Sequence, residues 1–293
     1  MPLLEGQFDL DGYVFGARSD RVFLLESGLD LGAPDVRDQD APHPSQDMLM
    51  FGRDLLTPQE WTFSLGVRDD SGDVYRVLDE FATAWGAWTR RGTPGAQCLL
   101  TYRRAGRTRC VYGRPRQWQI ETPRVLTHDF RIVTARFQLS DVRAYSAEVS
   151  EMVLGTVHTS TASGVVFPLV FPTTFGSEPQ ARAGWVDVTS PAPVPFTVGI
   201  TGPTVGAASG FRIASTGWEI ELPATIHPGQ TLTVDTRTGV TAINGTPVAT
   251  AIGRSSDLGA RLMPGQQEVQ FTADDPSASV QAYIRWREAS TSW

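Results

Sequence analysis

The chain has 293 residues, 41% hydrophobic and 19% charged, with a formal net charge of −7 and two cysteines. That length accommodates two domains of ordinary size, and that balance describes a folded chain and excludes extensive disorder. No run approaches the roughly 18 consecutive apolar residues of a helical membrane span. All 25 basic residues are arginines, which excludes a P-loop and Schiff-base chemistry, both of which need a lysine.

The amino terminus, MPLLEGQFDLDG, has neither a basic start nor an apolar core, so no secretory signal is expected and a cytoplasm is the expected site of synthesis. Residues 6–16 read as an opening strand with a turn. Residues 32–47 read as a polar, aspartate-rich loop with three prolines, long enough that either mobility or a partner must account for it. Residues 47–69 read as two strands turning near Asp54 to Pro58. The spacing then predicts a helix over about 73–90, in which Val74, Leu78, Phe81, Trp85 and Trp88 form one apolar stripe. Ser71 or Asp73 caps its start, and Gly92 and Pro94 end it. The stripe is expected to pack against a sheet.

Residues 97–120 read as an arginine-bearing hairpin turning at Ala105-Gly106, with Tyr102 facing Arg109 and Cys98 in register with Gly113. That register puts Cys98 and Cys110 on opposite faces, out of disulfide reach, so both are expected as reduced, buried thiols. Residues 128–145 read as a long strand buried on at least part of both faces. The first domain, 1–150, is therefore β-rich with one helix. From 146 the composition shifts to Ser, Thr, Pro and Gly. Within it Pro168 and Pro172 rule out a central strand, while the apolar residues around them rule out a solvated linker, so 151–184 is expected as an extended connector. Beyond Trp185, strand-like runs recur about every ten residues, the pattern of a β-sandwich over 185–293. Its most legible part is TLTVDTRTGVTAINGTPV (231–248), a meander in which Thr238-Gly239 and then Asn244-Gly245 reverse the chain.

A search for chemistry finds none. His43, His128, His158 and His227 have no ligand spacing, so neither metal nor cofactor is expected. The glycine-rich GITGPTVGAASG lies among short strands and opens no helix. Glu219 with Glu221, and Asp274 with Asp275, are surface pairs rather than a catalytic dyad. No catalytic residue is assigned, and the protein is not expected to be an enzyme. Aromatic platforms stack on sugars, which makes Trp185 and Trp218 candidate glycan contacts, with Trp286 and Trp293 behind them; core packing is the competing reading of those in alternating strands.

Charge is unevenly placed. Residues 1–89 hold 17 acidic residues against 6 arginines, and residues 90–143 hold 12 arginines against 3 acidic residues. Either the two segments neutralise each other within one domain, or the basic face of one copy meets the acidic face of the next. Arg103, Arg104, Arg107 and Arg109 of the hairpin are the candidate oligomer interface. Nucleic-acid binding is disfavoured by the acidic total.

The order of these pieces resembles the distal tail protein family of long-tailed bacteriophages. FQLSDVRAYS (137–146) is similar to the family's strand exit, with an Asp before an aromatic Tyr-Ser, and FPLVFPTTFG (167–176) to its Phe-Pro connector. GITGP (199–203), LTVDTRTGVTAING (232–245), LMPGQQEVQF (262–271) and YIRWRE (283–288) follow in the family's order. The chain departs from the pattern at SSDLGARLM, where an aromatic pair is usual, and at Gln267, where Asn is usual. The resemblance implies a mainly β fold: a ring-forming first domain and a galectin-like β-sandwich. It implies a homohexameric ring at the tip of the tail tube, in the virion, assembled in the host cytoplasm. Its implied partners are the tail tube protein, a tail hub or tail-associated protein and a receptor-binding protein, with genomic DNA only as cargo passing through the lumen and no membrane insertion. The alternative from a different class is a carbohydrate-binding adhesin module acting through the sandwich.

Overall fold

The computed structural model describes residues 2–69, 72–121, 130–154, 182–275 and 279–290. The chain divides into two compact units, the first running to Ala147 and the second spanning Glu148–Ser290.

In the first unit the strands are β1 (Phe8–Leu10), β2 (Tyr13–Phe15), β3 (Val22–Asp30), β4 (Asp35–Arg37), β5 (Ala41–Pro42), β6 (Leu49–Met50), β7 (Leu55–Thr57) and β8 (Glu60–Arg68). Helices α1 (Val74–Gly86) and α2 (Trp88–Arg91) follow, then β9 (Cys98–Arg104), β10 (Arg107–Glu121), β11 (Phe130–Leu139) and β12 (Ala144–Ser146). The main sheet runs β2-β1-β9-β10-β11-β8-β3, with β12 beside β10. Alternation sets its inner face: Trp61, Phe63, Leu65 and Val67 of β8 are buried, as are Val133, Ala135, Phe137 and Leu139 of β11. Helix α1 lays Val74, Leu78, Phe81 and Trp85 on that face. The Trp85 ring sits 5.3 Å from Phe81 and 5.8 Å from Phe63, and Phe8 meets Phe63 edge-on at 5.2 Å. Truncating one such ring to alanine costs about 3–5 kcal/mol.

Three expectations are corrected here. The helix ends at Gly86 rather than near residue 90, because Ala87 is left-handed (φ 43°, ψ 43°) and α2 begins a new turn. Trp88, the last member of the predicted stripe, is therefore 75% exposed rather than packed. Residues 32–47 are not a loop: β4 pairs with β7 and β5 with β6, forming an arm of two short ribbons. β3 was not legible, because its register shifts between Leu24 and Leu29, where Ser27 has φ 58°. At the helix start, Asp73 caps as expected by accepting from the Arg76 N–H (3.2 Å), while Ser71 lies outside the described residues.

The hairpin register is as read: Arg109 faces Tyr102 and Gly113 faces Cys98. Ala105 (φ 51°) and Gly106 (φ 71°) make the turn. Both cysteines are buried and neither is in a disulfide. The Asp-to-Tyr spacing at the end of the domain also has a structural reason, since the Tyr145 hydroxyl donates to Asp141 Oδ2 (2.5 Å) across the corner after β11.

The second unit is a sandwich of two antiparallel sheets. Its strands are β13 (Ser150–Leu154), β14 (Arg182–Val188), β15 (Phe196–Thr201), β16 (Ser209–Ser215), β17 (Trp218–Leu222), β18 (Thr231–Asp235), β19 (Val240–Ile243), β20 (Thr246–Pro247), β21 (Gly265–Asp274) and β22 (Gln281–Trp286). One sheet runs β13-β22-β15-β18-β19-β20 and the other β14-β21-β16-β17. Residues 151–154 of the expected connector lie in β13, paired with β22. The Phe-Pro run 167–176 lies outside the described residues.

The meander folds as its turn residues require. Leu232 and Val234 are buried between half-buried Thr231, Thr233 and Asp235. Asp235 holds the first reversal by accepting from the Arg237 N–H (2.9 Å) and the Thr238 hydroxyl (3.1 Å). Asn244 (φ 49°) and Gly245 (φ 78°) form the second, and Asn244 Oδ1 accepts from the Thr231 N–H (2.8 Å). The glycine of GITGP makes room for a ring: a Cβ on Gly199 would lie 1.9 Å from Tyr283 Cζ on the next strand.

Candidate assembly interface

The β9–β10 hairpin is pinned at its tip from within the first unit. Glu5 accepts from the N–H groups of Ala105 (2.5 Å) and Gly106 (3.1 Å). Alternation from the buried Tyr102 places Arg104, Arg107 and Arg109 on one face of the ribbon and Arg103 on the other. Arg104 and Arg107 are exposed, and Arg103 and Arg109 half-buried. Burial pushes the Tyr102 phenol up, against the opposing pull of Arg109 facing it. The four predicted arginines are thus brought to one hairpin tip but not to one face.

Other arginines of the basic segment serve the fold. Arg114 donates to the carbonyls of Ala96 (2.5 Å) and Thr93 (2.6 Å), and Arg90 pairs with Asp11 (3.1 Å). Arg91 donates to the carbonyls of Pro115 (3.1 Å) and Arg116 (2.8 Å), fixing the bulge where the β10–β11 register shifts. Beside that bulge lies a groove of about 510 Å³ whose lining includes Thr83, Gly86, Trp88, Arg91, Arg116 and Trp118. Sequence reasoning missed it, because only the left-handed Ala87 turns Trp88 outward.

The arm is the second surface that sequence reasoning missed. Met48, Leu49 and Met50 are about half exposed and Phe51 is 85% exposed, with Val36 and Leu56 also open. The signal was the apolar run DMLMFG, which the reading of 47–69 as two strands absorbed.

In the sandwich the two candidate glycan contacts part company. Trp185 is 66% exposed on the outer face of β14, opposite Glu268 on β21. Trp218 is buried at 8% and lies at the far edge of the same sheet on its inner face, its ring 4.8 Å from Phe196. Trp218 is therefore core, the competing reading of it, and its candidacy as a glycan contact is corrected. Trp286 is also buried, its indole N–H donating to Glu288 Oε1 (2.8 Å), and Trp293 lies outside the described residues.

Among the described residues no group of three or more His, Cys, Asp or Glu is placed to hold a metal ion; His128 and His158 lie outside them. Glu219 is held in a two-point pair by Arg212, which keeps its carboxyl below the usual range. Asp275, expected at the surface, is instead buried and accepts from the N–H groups of Ser279 (2.7 Å) and Val280 (2.8 Å). These arrangements build surfaces and turns.

Residues 188–289 match the family described as siphovirus-type tail component, C-terminal domain. No curated protein matches the chain. The fold is similar to the Dit protein (gp 19.1) of phage SPP1, whose structure is described as a paradigm of hub adsorption apparatus in phages infecting Gram-positive bacteria. That likeness has 14% identity and a TM-score of 0.55 and covers 97% of this chain and 98% of that one. A chain of the phage P2 baseplate in its activated conformation, solved with Ca and with Sr, is similar at 12% identity and a TM-score of 0.58 over the same shares. The chain therefore carries the fold of the SPP1 Dit protein over nearly its whole length, and residues 188–289 of its second unit match the siphovirus-type tail component C-terminal domain.

Proposed function

We propose that this protein is a structural component of a phage tail tip that acts by assembly, without catalysis. Copies form a hexameric ring joining the tail tube to the baseplate and host-recognition apparatus. The observation that carries this reading is the likeness to SPP1 Dit over 97% of the chain, together with the tail-component match at 188–289. The protein then resides in the virion after assembly in the host cytoplasm. Its neighbours are further copies of itself, the tail tube protein, a hub or tail-associated protein and a receptor-binding protein. DNA only passes through the lumen.

Within this reading the hairpin bearing Arg103, Arg104, Arg107 and Arg109 contacts an acidic surface of the next copy or of an adjoining tail layer. Exposed opposite charges steer association and fix register more than they add affinity. Imaging the purified protein by negative-stain electron microscopy, with mass photometry over a concentration series, tests the ring. Six-fold rings with a hole wide enough for DNA support it, and closed assemblies of another symmetry overturn it. Reversal of Arg104 and Arg107 to Glu is expected to block assembly while leaving the monomer's circular dichroism unchanged. Normal assembly by that variant removes the hairpin from the interface.

A second reading, glycan binding by the sandwich, is favoured by one observation: Trp185 stands exposed beside Glu268 on a polar sheet face. Binding of host-wall glycan by the full chain, lost in Trp185→Ala, would establish it alongside the first.

A further inference from the structure

The arm has no core of its own. Its ladders are short, β4 with β7 and β5 with β6, and isolated two-stranded ribbons are marginal in water. Polar bonds close its tip: the His43 N–H donates to the Met48 carbonyl (2.9 Å) and the Gly52 N–H to Asp40 Oδ1 (2.8 Å). These bonds present Met48, Leu49, Met50 and Phe51 together, and Phe51 is 85% exposed. Contiguous exposed apolar side chains rimmed by polar ones mark an interaction site. The rim is acidic, with Asp35, Asp38, Asp40, Asp47 and Asp54 against Arg37 and Arg53.

The groove at the end of α1 has the complementary chemistry. It offers two indoles, Trp88 and Trp118, and two guanidinium groups, Arg91 and Arg116, with Asp79 as its one acidic lining residue. Among the described residues no carboxylate lies within salt-bridge distance of either arginine. Tryptophan and arginine are the residues that anchor interfaces, and thioether side chains pack well on aromatic rings. Phe51 does not fill the groove of its own chain, since it stands exposed.

We propose that the tip of the arm, led by Phe51, docks into the Trp88–Trp118 groove of a second copy of this chain. The contact joins two different surfaces, and such head-to-tail contacts close into rings when the rotation allows. The inference rests on the ring reading and names its partner surface. The groove lies past the Cys98–Gly113 end of the β9–β10 ladder, whereas the arginine tip lies at the Arg104–Arg107 end. The arm and the hairpin therefore serve different contacts.

The test places p-benzoylphenylalanine at position 51 of the full chain and irradiates a mixture of isotopically light and heavy protein at high concentration. Adducts between light and heavy chains at residues 79–91 or 114–118, lost in Trp88→Ala, are the expected result. Trp88 is exposed, so its removal leaves the fold intact. Phe51→Ala is expected to raise the concentration needed for assembly by about tenfold or more, the effect of removing an anchor. Six-fold rings whose adducts fall elsewhere overturn the docking and leave the ring. Neither rings nor adducts at any concentration overturns both.

Discussion

Alanine at Trp218 and at Trp185 should have opposite consequences, and the difference separates folding from binding. Trp218 is 8% exposed, points inward with Ile220 and Leu222, and packs 4.8 Å from Phe196. Truncating a buried aromatic costs about 3–5 kcal/mol. Against that, the Trp218 indole N–H has no acceptor among the described residues. Its removal recovers part of the ~1–3 kcal/mol cost of an unmet buried donor. The net loss is therefore about 2 kcal/mol. At ~1.4 kcal/mol per factor of ten, amide protection in Phe196–Thr201 should fall about 30-fold. Trp185 is 66% exposed, and its truncation should change stability by no more than ~0.5 kcal/mol. Hydrogen exchange read by mass spectrometry, peptide by peptide, reports the sandwich without interference from the first unit. Unchanged protection in Trp218→Ala would refute the placement of that ring in the core. A glycan signal lost in Trp218→Ala but kept in Trp185→Ala would refute Trp185 as the platform.

Other consequences follow from single contacts. Gly199→Val drives a Cβ into the Tyr283 ring and should cost about 1–3 kcal/mol; urea melts should show part of that loss recovered when Tyr283→Ala is added. Ala87→Gly removes ~1–2 kcal/mol of left-handed strain against ~0.5–1 kcal/mol of added chain entropy. It should stabilise the first unit by about 0.5 kcal/mol, whereas Ala87→Val should destabilise it; a lower urea midpoint for Ala87→Gly would contradict the backbone assignment. Burial, then the Asp11 carboxylate, pushes the Cys98 thiol up from 9.0 to about 11. The unfolded thiol ionises first as pH rises, so the folded state binds more protons between pH 9 and 11, and the Cys98 contribution is lost across that window. Urea midpoints compared with Cys98→Ala should converge with the variant's across that range, and a thiol reagent at pH 8 should label Cys98 only after unfolding.

Features fixed by neighbouring residues were legible, and those fixed by distant ones were not. Asn244-Gly245 and Ala105-Gly106 announce their turns because positive φ is a local demand. From the hairpin turn the whole β9–β10 register followed, and with it the separation of the two cysteines. The arm was missed because its ladders join residues 7 to 22 positions apart, as in Pro42 with Leu49 and Asp35 with Thr57, with no period long enough to notice. Trp88 misled because alanine is the best helix former, so nothing local marks Ala87 as the point where the helix turns over. The tryptophans of the sandwich were decidable by parity. Trp218 alternates with Glu219 and Glu221 and so shares a face with Ile220 and Leu222, whereas Trp185 shares its face with Asp187.

The two missed features lie at the two surfaces proposed to meet, and a common physical cause accounts for that. A residue buried within one chain leaves its mark in that chain's periodicity, because neighbours on the same face must also be apolar. A residue buried only against another copy is free of that requirement. Phe51 and Trp88 accordingly break the patterns around them, Phe51 by standing exposed in an apolar run and Trp88 by leaving the stripe it continues in sequence. For a protein that works by assembly, such breaks are where an interface is expected. The meander and the aromatic core, which obey every local rule, supply the fixed frame on which those surfaces are held.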